Sequence, residues 1–406
     1  MKRNVLVFAW SIDDVQFYSS LLNDANIQFM CGRLSSYLYA KLTQRNTIAL
    51  NKRFYLRRIL GRFSKNSKKG NSEYDCRLYN REPKSYLIQL NLIRDILSNT
   101  LENKHYDILL LPGEFRLREQ VILKHFCKQL PIIFWEAGPV GSIYFSPLGT
   151  NANANLNTVY NDTTVPEHFY NFGVQTSGEY AIRFKLVISI LKVIELFSLL
   201  IGKYIFRCDE YNEFLPKKPP SQVREKFRER RVQSHPSGYI IFFGQVQTDV
   251  NFSHFSPELI ELRKTFIQWR QEYPDYMFVL KPHPREIHNT VNSLFAEIFA
   301  DSFELFNSSH ANLMDSRGDV HYVTVNSNVI AELLEKGRNV VVLGQSLYAG
   351  LPGVKYDLSE ADTESHLIED SIRSFLRKYF MPINYRKKQW VKYSCIACVL
   401  MEITNG

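Results

Sequence analysis

"VHYVTVNSNVIAELLEKGRNVVVLG", residues 320–344, holds a strand, a helix and a second strand in one short stretch. Residues 320–325 form an apolar, largely β-branched run of strand length. "SNVIAELLEKG" repeats its apolar residues at helical spacing up to Gly337, and "NVVVLG" is again a short apolar strand. A strand-helix-strand unit of this kind lays its two strands parallel, and parallel strands covered on both faces read as continuous apolar runs. The stretch therefore predicts a parallel α/β sheet.

The pattern extends outward. Upstream, "YIIFFG" (239–244) and "YMFVLK" (276–281) read as further strands, with helices expected near 256–272, 284–299 and 328–336. Ser256-Pro257-Glu258 predicts a helix start, with a capping hydroxyl, a proline in the first turn and an early acid. The N-terminal half repeats the alternation with "NVLVFAW" (4–10), "YDILLL" (106–111) and "PIIFW" (131–135), separated by helical patterns at 84–103 and 115–129. Between the halves lies "LPKKPPSQVREKFRERRVQSHPSG" (215–238), polar, basic and broken by prolines, as a linker is. The predicted organisation is an α/β domain over 1–215, a linker over 216–237, a second α/β domain over 238–375 and terminal helices over 376–406, with the two Rossmann-like halves facing a cleft. The chain's 406 residues, 45% hydrophobic, suffice for two or three domains with real cores.

Six cysteines (Cys31, Cys76, Cys127, Cys208, Cys395 and Cys398) are scattered, and the one close pair has no second pair or histidine beside it. Reduced core thiols are expected rather than disulfides or zinc. "MKRNVLVFAWSIDD" turns acidic too soon for a signal peptide and reads as the first strand of a cytoplasmic protein. The net charge of +9 is concentrated in 51–70, where eight Lys and Arg stand with no acid. A helical projection puts Leu56, Ile59, Leu60 and Phe63 beside Arg57, Arg58 and Arg62, which suits either an ordinary surface helix or an interfacial one on the anionic inner face of the inner membrane. No nucleic-acid module accompanies the charge, so nucleic acid is not an expected partner. "FKLVISILKVIELFSLLIGKYIF" (184–206) is interrupted by Lys192 and Glu195, too early for a span, and reads as a buried or membrane-skimming helix.

Ligands of parallel α/β sheets bind at the carboxyl ends of the strands. Those ends read "LPGE" (111–114), "WEAGP" (135–139), "GQVQTD" (244–249), "KPHP" (281–284), "VNSN" (325–328) and "GQSLYAGLPG" (344–353). Asn326, Ser327 and Asn328 offer helix caps, and the free N–H groups of the helix they start suit a phosphate. Lys281, and His283 held stiffly between two prolines, add positive charge at a neighbouring strand end. Glu136 and Asp249 come from opposite halves, and paired acids on facing loops suit glycosyl chemistry. Glu114 is a third carboxylate. No Asp-x-Asp metal motif stands at a strand end, so no metal is expected.

The ordered set "WEAGP", "GQVQTD", "KPHP", "SNVIAELLEKG" and "GQSLYAGLPG" resembles the bacterial capsule-polysaccharide synthesis family that includes the retaining β-Kdo transferases. The resemblance covers the loops from about 131 to 353. It implies a GT-B-like pair of domains that moves 3-deoxy-D-manno-oct-2-ulosonic acid (Kdo) from the donor substrate CMP-Kdo to a glycan or glycolipid acceptor, with no other cofactor. It further implies Asp249 as nucleophile, Glu136 as catalytic carboxylate, and Lys281, His283 and Ser327 as the CMP-phosphate cradle. Gln245 and Asn328, on the same strand-end loops, are expected beside the nucleotide as well. The competing readings are another nucleotide-dependent transferase, sialyltransferase-like or polyol-phosphate, and a non-catalytic membrane-surface subunit of a polysaccharide assembly complex.

Overall fold

The computed structural model describes residues 2–22, 25–43, 45–50, 91, 93–98, 101, 104–114, 117–126, 128–139, 142–161, 175–176, 185–204, 236–247, 249–284, 289–306, 313–314, 319–360, 370–380 and 391–392. The basic stretch 51–70, most of the expected linker, and all the cysteines except Cys31 lie outside the described residues. The chain divides into two compact units. One comprises Met1–Thr150, Thr164–Leu215 and Met381–Gly406; the other comprises Asn151–Thr163 and Pro216–Phe380.

The first unit is built on a six-stranded sheet of β1 (Asn4–Ala9), β2 (Asn26–Cys31), β3 (Asn46–Ala49), β4 (Ile108–Leu111), β5 (Ile132–Ala137) and β6 (Ile143–Ser146), in the order β3-β2-β1-β4-β5-β6. All pairs are parallel except the last, β5 with β6. The short β7 (Gln175–Thr176) pairs antiparallel with β14 (Val391–Lys392). Alternate residues of β1 serve opposite faces, as the pleat requires: Val5, Val7 and Ala9 enter one core and Leu6 and Phe8 the other. Both faces are covered, which is why "NVLVFA" shows no polar alternation. Ser11 then starts the helix Ile12–Leu21 with a reciprocal capping box. Its hydroxyl accepts the Asp14 N–H at 3.2 Å, while the Asp14 carboxylate accepts the Ser11 N–H at 2.8 Å.

The apolar segment near 184–206 forms the helix Lys185–Tyr204. Leu191 is buried in the first unit's core, with Val187, Ile188 and Ile194 packed against it. No helix among the described residues is long and apolar enough to cross a membrane. Cys31, on β2, is a free buried thiol whose pKa burial pushes up to about 12, so it stays protonated and inert.

The second unit carries β8 (Gly238–Phe243), β9 (Tyr276–Lys281), β10 (Phe303–Leu305), β11 (Val320–Thr324), β12 (Val340–Val342) and β13 (Val354–Lys355), all parallel, in the order β10-β9-β8-β11-β12-β13. Counted from its own first strand this order is 3-2-1-4-5-6, the same as in the first unit, and it is the doubly wound dinucleotide-binding arrangement. The chain is thus two Rossmann-like sheets, as the strand pattern predicts. An aromatic core joins the sheet to its helices: Phe295, fully buried, stacks on Phe242 at 5.1 Å between centroids and meets Phe266 edge-on at 5.3 Å.

Two local expectations differ from the structure. The helix expected from Ser256 begins at Leu259, because Ser256 already ends the preceding short helix Val250–Phe255, its N–H donating to the Phe252 carbonyl. Asn328 occupies the cap position of the helix Val329–Glu335, but its backbone is helical and its side chain makes no capping bond. Its amide oxygen instead accepts the Tyr348 hydroxyl at 3.0 Å, and Ser327 Oγ accepts the Val329 N–H at 3.4 Å.

Candidate functional site

A doubly wound sheet binds ligands where its strand order reverses, outside the carboxyl ends of the two central strands. In the second unit those strands are β8 and β11. Gln245 follows β8 and Asn326 follows β11, and their side chains join the two loops. Gln245 Nε2 donates to Asn326 Oδ1, and Gln245 Oε1 accepts the Asn326 N–H at 3.2 Å. Asn326 Nδ2 donates to the Asn251 carbonyl at 2.9 Å, and Asn289 Nδ2 donates to the Gln245 carbonyl at 2.7 Å. Gln245, Asn289 and Asn326 are all buried, at 9%, 8% and 3% exposure, so these bonds form in a low dielectric, where an unmade one would be costly. Gln245 therefore acts here by holding two strand-end loops in register.

Gly244 has a steric reason to be glycine. A β-carbon there would come within 2.6 Å of Asn292 Oδ1, and Asn292 is fully buried. Asn289 caps the helix Thr290–Ile298 by accepting the Asn292 N–H at 2.8 Å, and the Thr290 N–H is taken by Gln247 at 3.1 Å. Asparagine and glutamine side chains thus occupy the turns around the switch point and leave charge to a few groups.

Lys281 ends β9, the neighbour of β8, and its carbonyl accepts the Gly244 N–H at 2.8 Å. Its side chain is half-buried, and burial lowers its pKa from 10.5. Among the described residues no carboxylate pairs with it. His283, two residues on, is half-buried in an isolated strand-type bridge between Pro282 and Pro284. Asp249 lies on the loop after β8 and is exposed. It caps the helix Val250–Phe255, its carboxylate accepting the Asn251 N–H at 2.9 Å. Because Asn251 also supplies the carbonyl taken by Asn326, Asp249 is one residue-step from the switch-point network.

In the first unit the reversal falls between β1 and β4. Glu114, after β4, is engaged: its carboxylate accepts the Thr150 N–H at 3.0 Å and the Thr150 hydroxyl at 2.8 Å. Glu119, buried at 4% exposure, lies behind Gly113, whose φ of +153° suits glycine. Glu136 is half-buried within β5, which runs past Trp135 to Ala137, and is paired in register with Tyr144 of β6. Gln245, Asp249, Lys281, His283, Ser327 and Asn328 therefore belong to the second unit, and Glu114 and Glu136 to the first. Of the residues not singled out in the sequence, Asn289 and Tyr348 sit on loops whose polar composition looks like ordinary turn chemistry, and Asn292 lies in the helix Thr290–Ile298; only the fold shows that all three are buried.

No protein-family model matches the sequence, and no curated protein sequence matches it. Solved structures do. KpsC-type Kdo transferases are among the structural neighbours. The Thermosulfurimonas dismutans KpsC β-Kdo 2,7 transferase is 15% identical, with 93% of this chain and 90% of that chain covered and a TM-score of 0.43. The β-Kdo 2,4 transferase of the same organism's KpsC is 16% identical, over 73% of this chain and 86% of that chain, with a TM-score of 0.32. A glycosyltransferase from Rickettsia africae is 10% identical, over 99% of this chain and 98% of that chain, with a TM-score of 0.35.

Proposed function

We propose that the chain is a retaining glycosyltransferase that moves Kdo from CMP-β-Kdo to a glycan acceptor in bacterial surface polysaccharide synthesis. The observation that carries this reading is Lys281: a cation partly withdrawn from water, unpaired with any carboxylate among the described residues, at a strand end beside the switch point of a doubly wound sheet. Such a cation is completed by an anion, and the CMP phosphate and the Kdo carboxylate both supply one. His283, on the loop that follows Lys281, and the Ser327 hydroxyl, beyond the end of β11, are the further donors that this reading assigns to the nucleotide. The motif resemblance narrows the anion to CMP-Kdo.

In the proposed reaction an Asp249 carboxylate oxygen bonds to the anomeric carbon as the bond to the CMP phosphate oxygen breaks, and CMP leaves with the electron pair. The acceptor hydroxyl then displaces Asp249, with its proton passing to a general base. Two displacements at one carbon return its configuration. The test is product analysis after incubation with CMP-Kdo, and in parallel with other nucleotide-linked donors, together with a panel of synthetic glycan acceptors. A β-linked Kdo product is expected. An α-linked product removes the double displacement, turnover with a different nucleotide donor alone moves the chain to another transferase class, and no turnover with any donor favours a non-catalytic subunit.

A further inference from the structure

The helix Lys185–Tyr204 has a second apolar face that its packing leaves open. Leu191 faces the core at 4% exposure, whereas Ile190, Val193, Leu196 and Phe197 are 51%, 51%, 44% and 60% exposed. At about 100° per residue these four fall on one arc of roughly 120°, nearly opposite Leu191. Lys192, exposed, lies about 40° outside the edge of that arc. Four large apolar side chains side by side on one outer face are a contiguous patch rather than the scattered exposed residues of an ordinary surface.

We propose that this face docks on an anionic lipid bilayer, lying in the interface plane. Charge selects the occupant. The helix carries Lys185, Lys192 and Lys203 against the single acid Glu195, in a chain of net charge +9. Lys192, exposed beside the patch, meets opposite charge on anionic headgroups, whereas a second copy of the same face offers no acid on the described arc to neutralise it. The surface does not depend on the transferase reading, because it lies on the first unit and requires no donor.

The test is sedimentation of the full chain, without substrate, with vesicles of phosphatidylcholine alone and of phosphatidylcholine with phosphatidylglycerol. The wild-type chain is expected to bind the anionic vesicles, less so as salt rises. The double variant Val193→Gln/Phe197→Gln is expected to bind at least about tenfold more weakly, with an unchanged circular-dichroism spectrum. If the double variant does not fold, Lys192→Glu, at an exposed position, carries the test, and weaker binding to anionic vesicles is expected. Wild-type binding that both variants retain in full overturns the proposal and leaves the basic stretch 51–70 as the membrane contact. A dimer in solution that the double variant abolishes, with no vesicle binding by the wild type, overturns it in favour of a second copy.

Discussion

Gln245 and Asn326 are 81 residues apart in sequence and bonded to each other twice, side chain to side chain and side chain to backbone, across the point where the strand order of the second sheet reverses. Each of the two loops that flank a ligand at this position is therefore held by the other. Replacing Asn326 with Ala strips Gln245 of its acceptor and releases the Asn251 carbonyl. In a buried setting this is expected to cost about 1–3 kcal/mol of stability. Denaturant unfolding measures the loss. A double-mutant cycle with Gln245→Ala should show coupling of about 0.5–3 kcal/mol, since the two residues share their bonds. Additive losses would show that the pair is incidental.

Lys281 and His283 make the proposed donor site testable by binding alone. A ligand that binds only the folded state at a hundredfold excess over its dissociation constant raises stability by about 2.7 kcal/mol. CMP is expected to raise the melting temperature of the wild-type chain, and Lys281→Ala and His283→Ala to remove most of that rise. Lys281→Ala should leave the ligand-free protein as stable or slightly more so, because it removes a partly desolvated charge with no partner among the described residues. A full CMP shift in both variants would take both residues out of the donor site.

The sheets were legible in the sequence because their central strands, "NVLVFA" and "GYIIFF" among them, are covered on both faces and so read as unbroken apolar runs. β2 was not singled out, because "NIQFMC" carries a glutamine in its middle. Gln28 is buried nonetheless, satisfied by the Tyr106 hydroxyl and by Lys104 at 3.1 Å, partners nearly 80 positions away that no local pattern reveals. β10 and β13, of three and two residues, are too short to show any period. At the candidate site, the strand-end loops could be located from the sequence by their position alone. The commitment of Gln245 to Asn326, and of Asn328 to Tyr348, depends on which loops the fold makes neighbours.

A buried histidine gives the second unit a pH dependence of known sign. His321, at 5% exposure, lies among the rings of Tyr273 and Tyr276, and burial lowers its pKa from 6.5 against the opposing pull of Asp319, 3.7 Å away. Because the folded state holds the lower pKa, the unfolded chain takes up a proton first as pH falls. Stability contributed by the neutral ring is fully present above about pH 6.5 and is lost as pH drops below it toward the folded-state pKa. Thermal melts of the wild type should fall between about pH 7 and about pH 5 more steeply than those of His321→Phe, which keeps a ring in place but cannot titrate. Parallel curves would exclude His321 as a contributor.

Asp249 has one observed role and one proposed role, which a pair of substitutions separates. Its carboxylate caps the helix Val250–Phe255 through the Asn251 N–H, and in the proposed reaction the same carboxylate is the nucleophile. Asparagine is among the best capping residues, so Asp249→Asn keeps the acceptor oxygen for Asn251 while removing the negative charge that attacks carbon. Asp249→Ala removes both and is expected to cost about 0.5–2 kcal/mol of stability as well. If the carboxylate reacts, both variants lose transfer, the Asn variant at nearly wild-type stability and with its CMP-induced melting shift intact. If Asp249 is a cap alone, activity tracks stability: the Asn variant transfers Kdo normally and only the Ala variant suffers. Intact-mass spectrometry of the wild-type chain with CMP-Kdo and no acceptor should show an added Kdo that maps to the peptide containing Asp249 and is absent from the Asn variant. An adduct on the Asn variant would place the nucleophile elsewhere in the chain.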